Sequence, residues 1–441
     1  AVVCVLVLVS CTTGFARTIR VTSDGSGDYA TIQAAIDASI NGDTVLVAPG
    51  TYTGDGNRDI DFGGRAITVR SETGPEFCVI QCGGRRARHV NGLRTQVVEA
   101  EYHRGFYLHS QEDADSVIQG FTVTQGYMGP YSGGAIYCEN SSATIKDCII
   151  VGNMAGGGGG IAAFGSRIQV KNCLIEENAA SWTEYYDRGG GMALGGESQV
   201  LNCLIVGNTA SGHGGGIYCS GSHQFINCTV SGNRTGDHGQ GGGISLGLYD
   251  SDVSHLSNSI VWGNRAASVG NDVEFDGAAM LVEMRLHVSH SLMGTTPADI
   301  YDPHTRVSGE WLMTDPLFAD DGYWDPNGTL DNPNDDFWVN GDYHLKSQAG
   351  RWNPNAGTWV QDDVTSPCID AGDPNSSIGE EPFPNGGRIN IGVYGGTAEA
   401  SKSYFGEPVS ETIIAGDING DGKVDWLDLS ILASHWLQTG E

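Results

Sequence analysis

A segment of seven residues recurs through the middle of the chain. Four copies read DCIIVGN, NCLIEEN, NCLIVGN and NCTVSGN, at residues 147–153, 172–178, 202–208 and 227–233. A fifth copy, NSIVWGN, lies at residues 258–264. The cysteines at positions 148, 173, 203 and 228 are therefore 25, 30 and 25 residues apart. A fixed period of this length predicts a solenoid, in which each repeat stacks on the next.

The repeats predict strands rather than helices. Each repeat offers only short apolar or alternating runs, broken by Gly, Asn and Ser, and such runs are typical of strands. A unit of two or three short strands can pair its backbone only by stacking on its neighbours. We therefore predict an all-β fold, a parallel β-helix with coils about 4.8 Å apart.

Stacking predicts that like residues form ladders. The cysteines suggest either a metal or disulfide site or a buried row of free thiols, and we favour the buried row. An asparagine ladder is expected at a turn, since an Asn amide can bond to the next one and Asn tolerates a left-handed backbone. Its members are Asn153, Asn178, Asn208, Asn233 and Asn264.

The N-terminal part of the chain predicts a capping helix. Residues 29–40 place Ile32, Ala35, Ile36 and Ile40 on one helical face, which would cover the first strand edge of the β-helix. The stretch DYATIQAAIDASINGDTVLVAPGTY, residues 28–52, resembles the N-terminal capping segment of bacterial, planctomycete-like proteins with the pectin-lyase-like fold. The resemblance implies a right-handed parallel β-helix. It implies no single activity, because lyases, hydrolases, epimerases and adhesins share this scaffold.

The sequence divides into five regions. Residues 1–16, AVVCVLVLVSCTTGFA, form an apolar run too short to span a bilayer and predict a signal peptide, hence a secreted or cell-surface protein. The LVSC at residues 8–11 resembles a lipobox, which would leave Cys11 lipidated; both alternatives stay open. No other segment is expected to cross a membrane. We assign residues 17–300 to the β-helix, 301–396 to an irregular C-terminal cap, 397–415 to a linker and 416–441 to a tail.

The tail contains a predicted calcium loop, DINGDGKVDWLD. Oxygen-bearing side chains occupy loop positions 1, 3, 5, 9 and 12, and position 7 would offer a backbone carbonyl, a spacing that suits one calcium ion. The predicted ligands are Asp417, Asn419, Asp421, Lys423, Asp425 and Asp428. With the following LSILASHWL, the loop resembles one α-helical repeat of a type I dockerin, which has two. The resemblance implies a cohesin-like or cell-surface anchoring partner.

The turns after the ladder asparagines vary in length and carry aromatic and ionisable residues. Because insertions in a solenoid map to one face, we expect these residues to gather into a sugar-binding surface; the alternative is polar turns with incidental aromatics. The predicted substrate-binding residues are Tyr127, Tyr131, Trp182, Tyr185 and Tyr186. The weaker catalytic candidates are Asp187, Arg188, His213, Asp237 and His238.

Enzyme status stays open in the sequence. A lyase would use Arg188 as the base beside Asp187, whereas a hydrolase would need a carboxylate pair such as Asp187 and Asp237, two coils or about 10 Å apart. The Gly-His-Gly at residues 212–214 resembles one motif of polygalacturonase-like hydrolases. We interpret it as coincidence, because it falls in the glycine turn that every repeat has. The net charge of −30 argues against nucleic acid as a partner, and a polyanionic substrate would need bridging calcium.

The sequence therefore predicts an exported, monomeric protein that binds or acts on a polysaccharide, as a lyase or hydrolase if it is an enzyme. The alternative is a non-catalytic surface or assembly protein that presents a protein-binding face of the β-helix.

Overall fold

The computed structural model of the chain describes residues 16–85, 88–89, 97–98, 100–181, 187–247, 252–275, 284–294, 296, 298–302, 304–329, 336–405, 426 and 429–431. The predicted parallel β-helix is confirmed, because three long sheets run through the molecule and successive coils pair in parallel. The sequence repeat sets the register: Ile150 pairs with Ile175, and Ile175 with Ile205.

Each sheet is a stack of short strands from successive coils. The first sheet contains Thr18–Val21, Thr44–Val47, Thr68–Ser71, Val117–Gln119, Thr144–Lys146, Gln169–Lys171, Met192–Leu201, Ile217–Ile226, Val253–Ser257, Arg285–Met293 and Val307–Leu312. The second sheet contains Gly50–Thr53, Cys78–Gln81, Thr122–Thr124, Ile149–Val151, Leu174–Glu176, Leu204–Val206, Thr229–Ser231 and Ile260–Trp262, and the ends of Arg285–Met293 and Val307–Leu312 extend it. The third sheet contains Phe106–Leu108, Ile136–Glu139, Ile161–Ser166, Ile244–Leu246, Val273–Phe275 and Ile300–Tyr301, joined by the first halves of Met192–Leu201 and Ile217–Ile226.

The β-helix region also contains two smaller sheets. The strands Met154–Ala155, Ala179–Ala180, Thr209–Ala210 and Arg234–Thr235 form a narrow parallel sheet after the second sheet. The strands Arg88–His89 and Val97–Val98 form an antiparallel pair.

The cysteines at the repeat position form a buried row of free thiols, as predicted. Cys148, Cys173, Cys203 and Cys228 are each at most 2% exposed and none is in a disulfide. Each thiol lies near the carbonyl two residues earlier, at 3.2 Å for Cys148 and Lys146. Ser259 occupies the fifth position, and its hydroxyl donates to the Ser257 carbonyl in the same way. A small side chain with a weak donor satisfies this position, so no metal role is required.

The asparagine ladder is also confirmed. Its side-chain amides donate to the next side-chain oxygen at 2.9–3.0 Å from Asn153 through Asn178, Asn208 and Asn233 to Asn264. The prediction of a left-handed backbone at these asparagines is wrong, because the residue before each of them adopts that conformation instead. The residues with positive φ there are Gly152, Glu177, Gly207, Gly232 and Gly263.

The capping helix spans Ile32–Asp37 and buries Ile32, Ala35 and Ile36 against the core. The prediction for Ile40 is wrong, since this side chain is 51% exposed. The helix ends at Asp37, and the Ile40 backbone N–H donates instead to the Asp43 carboxylate. Ile40 therefore does not continue the apolar face of the helix.

The C-terminal region contributes three antiparallel strand pairs in two hairpins. The first hairpin pairs Phe318–Asp320 with Asp342–Leu345 and, closer to its tip, Tyr323–Asp325 with Phe337–Val339. The second pairs Arg351–Asn353 with Thr358–Val360. Residues of this region form a second hydrophobic cluster with the outward-facing side chains Val206, Ile260 and Leu292 of the second sheet. The region therefore covers the flank of the β-helix. This position differs from a cap over its C-terminal end, because the outer face of the second sheet is apolar in these coils.

Candidate functional site

The variable turns lie side by side between the second and third sheets. Backbone bridges join Ser132 to Gly157, Gly157 to Arg188, and Arg188 to His213. Successive turns therefore border the same edge of the third sheet, and side chains from distant parts of the sequence meet on its outer face.

A group of tyrosines lies at the N-terminal end of this edge. Tyr127 is buried and its ring stacks on that of Tyr102, with centroids 5.7 Å apart. Tyr131 is 58% exposed and contacts the same Tyr102 ring edge-on at 5.8 Å. Tyr102 is a member that the sequence prediction missed, because it precedes the clear repeats. The predicted Trp182, Tyr185 and Tyr186 lie outside the described residues.

Arg188 and His213 belong to a polar cluster on the outer face of the third sheet. We call Arg188, His213, Tyr218, Ser245 and Glu274 the third-sheet cluster. Tyr218, Ser245 and Glu274 occupy one register position on successive strands, and all three are buried. Arg188 donates to the Tyr218 hydroxyl at 2.7 Å, and its guanidinium carbon lies 4.7 Å from the centre of the Tyr218 ring.

An imidazole and a carboxylate face each other at the other end of the cluster. Nδ1 of His213 is 3.8 Å from Oε2 of Glu274, and the two side chains are 17% and 0% exposed. The Ser245 hydroxyl donates to the same Oε2 at 2.7 Å. Nδ1 of His213 and Oε1 of Glu274 have no hydrogen-bond partner among the described residues. Such buried unpaired groups are rare in folded proteins and often mark a functional site.

The sequence prediction missed three members of this cluster, Tyr218, Ser245 and Glu274, although the sequence carries a weak signal for them. In the strands after the glycine clusters, the second residue points away from the core; it is Ala in GGGIAAF and GGGMALG but Tyr218 in GGGIYCS and Ser245 in GGGISLG. Glu274 follows at the same position in DVEF. The same column carries Tyr107 and Tyr137 in earlier coils, so larger polar residues precede and follow the two alanines.

The remaining catalytic candidates are Asp187, Asp237 and His238, and the two carboxylates among them lie in different environments. Asp187 is 3% exposed and its backbone carbonyl accepts from the N–H groups of Gly212 and His213. Asp237 and His238 lie at an exposed turn. One carboxylate of the suggested Asp187 and Asp237 pair is therefore buried and the other is in solvent.

A buried arginine extends the outer face toward the tyrosines. Arg104 is 6% exposed, and its guanidinium carbon lies 4.6 Å from the ring centre of Tyr107 and 5.0 Å from that of Tyr137. Its Nη1 has no hydrogen-bond partner among the described residues, and burial lowers the pKa of the guanidinium. The Tyr107 hydroxyl donates to Glu139 at 2.7 Å; burial, followed by this bond, raises the pKa of Tyr107 to about 12.

The predicted calcium ligands, Asp417, Asn419, Asp421, Lys423, Asp425 and Asp428, lie outside the described residues, so the calcium site stays a prediction. In the tail, Trp426, Leu429, Ser430 and Ile431 are described and helical. Across the described part of the chain, no group of three or more His, Cys, Asp or Glu side chains is arranged to hold a metal ion. No helix among the described residues is long and apolar enough to cross a membrane.

Comparisons with known proteins bear on the fold of the chain. A family model described as the right-handed β-helix region matches residues 97–277, and one described as disaggregatase related matches residues 331–372. Among solved structures, the pectate lyase Pel9A is similar with 15% sequence identity and a TM-score of 0.44, over 86% of this chain and 96% of that one. No curated protein matches. The first family model and the parallel coils together identify the fold as a right-handed parallel β-helix.

Proposed function

We propose that this right-handed parallel β-helix protein binds a polysaccharide along the turns that border its third sheet, and that His213 performs acid–base chemistry on the bound chain. The observation that carries the proposal is the contact of a partly exposed imidazole with a fully buried carboxylate, Glu274, at 3.8 Å. A polymer suits a solenoid, because successive coils repeat the same surface about every 4.8 Å.

The buried carboxylate gives His213 a defined role. Nδ1 is the buried ring nitrogen and faces Glu274, so the exposed part of the ring is directed elsewhere. A carboxylate behind an imidazole holds the ring in one orientation and stabilises the imidazolium that forms when the ring accepts a proton. Glu274 is therefore a positioning residue, while His213 would touch the sugar.

The aromatic and cationic neighbours supply binding groups. Tyr131 offers a largely exposed ring, and the Tyr102 ring beside it is 39% exposed. Aromatic faces pack on the apolar faces of sugar rings, while guanidinium and hydroxyl groups such as those of Arg188 and Tyr218 hydrogen-bond to their hydroxyls. These groups favour a glycan over a nucleic acid, whose phosphates the net charge of −30 would repel.

The test is incubation of the protein with a panel of uronate and neutral polysaccharides in the presence of calcium. Unsaturated products would be followed by absorbance, and hydrolysis by the release of reducing ends. We expect His213→Ala to reduce product formation by roughly 100-fold or more, and Glu274→Gln to reduce kcat more than it changes KM. His287→Ala is the matched control, because His287 lies on the outer face of the first sheet.

The outcomes separate the proposal from its alternative. Product formation that His213→Ala leaves unchanged would refute the role of His213. Binding of a polysaccharide without product would support the alternative function, a non-catalytic surface or assembly protein.

The proposal includes export and anchoring. The leader at residues 1–16 would direct secretion, or lipidation at Cys11, and the dockerin-like tail would hold one calcium ion and bind a cohesin-like or cell-surface partner. Metabolic labelling with a radioactive fatty acid distinguishes the two leader types, since label that Cys11→Ala removes identifies a lipoprotein.

A further inference from the structure

A cavity lies away from the third-sheet cluster, between the second sheet and the C-terminal hairpins. It has a volume of about 230 Å³. The β-helix contributes Trp262 and Arg265 to its lining, and the hairpins contribute Asp321, Tyr323, Trp324 and Trp338. Enclosed sites for drug-sized ligands span roughly 300–1,000 Å³, so this cavity suits a single ring.

Two indoles on the hairpin side of the cavity are fixed by their own contacts. The rings of Trp324 and Trp338 lie 5.4 Å apart and are inclined by 59°. The Trp324 indole N–H donates to the Gly232 carbonyl at 2.8 Å, and the Trp338 indole N–H donates to Asn340 at 2.8 Å. Both polar atoms of these rings are therefore already bonded within the protein, so the rings offer a ligand apolar surface.

An ion pair adds to this rigidity. The guanidinium carbon of Arg234 lies 3.7 Å from the centre of the Trp324 ring, and Arg234 pairs with Asp336 at 2.6 Å. Side chains held in one position lose little conformational freedom when a ligand binds. The indole side of the cavity is thus organised before any ligand arrives.

The other lining groups are polar or accessible. Arg265 is exposed, and its guanidinium makes no hydrogen bond or ion pair with any described residue. Asp321 is exposed, and Tyr323 at the rim is 55% exposed. A carboxylate that accepts hydrogen bonds and a guanidinium that donates them can together bind neighbouring hydroxyl groups.

We propose that this cavity is a second carbohydrate site, which binds one residue of a neutral polysaccharide against its aromatic lining, with Asp321 and Arg265 on its hydroxyls. A neutral sugar fits better than an acidic one, because the carboxylate of Asp321 and the guanidinium of Arg265 balance each other in the lining while the protein carries a net charge of −30. The site lies on the second sheet and does not depend on the proposed site at the third sheet. Its role would be to hold the chain of a polymer while other surfaces remain free.

The test uses affinity electrophoresis of the full-length protein in gels that contain neutral polysaccharides of the glucan, galactan, mannan or xylan type. We expect at least one of them to retard the wild type. The double variant Tyr323→Ala/Arg265→Ala should lose at least 10-fold in affinity, since it removes two exposed groups with little effect on packing. Trp262→Ala should show a comparable loss.

Two controls keep the result specific. Trp359→Ala changes a tryptophan on the Arg351–Asn353 and Thr358–Val360 hairpin, which does not line the cavity, and should leave retardation unchanged. His287→Ala changes an exposed side chain of the first sheet, outside both proposed sites, and should also leave retardation unchanged. Retardation that the double variant retains in full would overturn the proposal, as would the absence of retardation by every polysaccharide in the panel.

Discussion

The side-chain amide of Asn264 donates to the carboxylate of Asp272 at 2.9 Å, so a carboxyl group ends the asparagine ladder. The same oxygen accepts the Asn264 backbone N–H at 3.2 Å. Asp272 is 2% exposed, and this burial raises its pKa to about 7. The ladder thus ends on the one rung whose charge can change near neutral pH.

Asp272→Asn should make the protein more stable at high pH. An unfolded Asp titrates near 3.9, so the folded chain holds a proton that the unfolded chain releases between about pH 4 and pH 7. The stability linked to this proton is complete below about pH 4 and is lost as the pH rises through about 7. Asn keeps the acceptor without the charge, and we expect a gain of roughly 4 kcal/mol at pH 8 and little change at pH 4. Urea denaturation at both values measures it.

Asp363→Asn is the control for this measurement, because Asp363 is exposed. An equal gain in both variants, or a gain in Asp272→Asn that does not depend on pH, would show that the end of the ladder is not the cause.

Asn208→Ala should destabilise the middle of the ladder. The Asn208 amide donates to the carbonyls of Ile175 and Val206 and to Asn233, and its side-chain oxygen accepts from Asn178. Alanine would leave several buried groups without partners, at a cost of about 3 kcal/mol or more. Thermal unfolding measures the loss, with exposed Asn355→Ala as the reference. A loss no larger than that of the reference would contradict a stabilising ladder.

The contact of Gly232 with Trp338 predicts how the C-terminal hairpins are held. A Cβ at Gly232 would lie 2.0 Å from the Trp338 ring, and Gly232 has φ of +64°. Gly357 has φ of +62° but nothing within 4 Å of a Cβ. Gly357→Ala should therefore cost only the backbone strain, about 1 kcal/mol, while Gly232→Ala should cost several kcal/mol. Similar unfolding free energies for the two variants would mean that the hairpins shift away easily.

The tail should bind one calcium ion. In isothermal titration calorimetry of the full-length protein, Asp417→Ala/Asp421→Ala should abolish one binding event, because both carboxylates are predicted ligands. Asp363→Ala is the matched control and should retain it. The prediction fails if the double variant binds calcium as the wild type does, or if the wild type binds none at millimolar calcium.

The coils could be predicted from the sequence because each coil repeats the same residue types at the same positions. Cys148 and Asn153 recur one coil later as Cys173 and Asn178, so their burial follows from the period alone. The position of the C-terminal hairpins could not be predicted this way, because it depends on contacts such as that of Trp338 with Gly207, which lie far apart in the sequence. The outward-facing Leu174 and Leu204 were a readable signal that this face is covered.

The candidate site was predicted only in part, for the same reason. Arg188 and His213 lie in the variable turns and could be recognised as a group. Their partners Tyr218 and Glu274 lie in strands, where a polar residue at an outward position resembles any solvent-facing residue. Only the parallel register places them beside the turns.

The most direct test of the proposed function is a crystal structure of the protein with an oligosaccharide from a polysaccharide that it binds. We predict a sugar residue in contact with the exposed side of the His213 ring and within hydrogen-bond distance of Arg188 or Tyr218. An oligosaccharide bound elsewhere on the β-helix, with none of these three side chains in contact, would contradict the proposal.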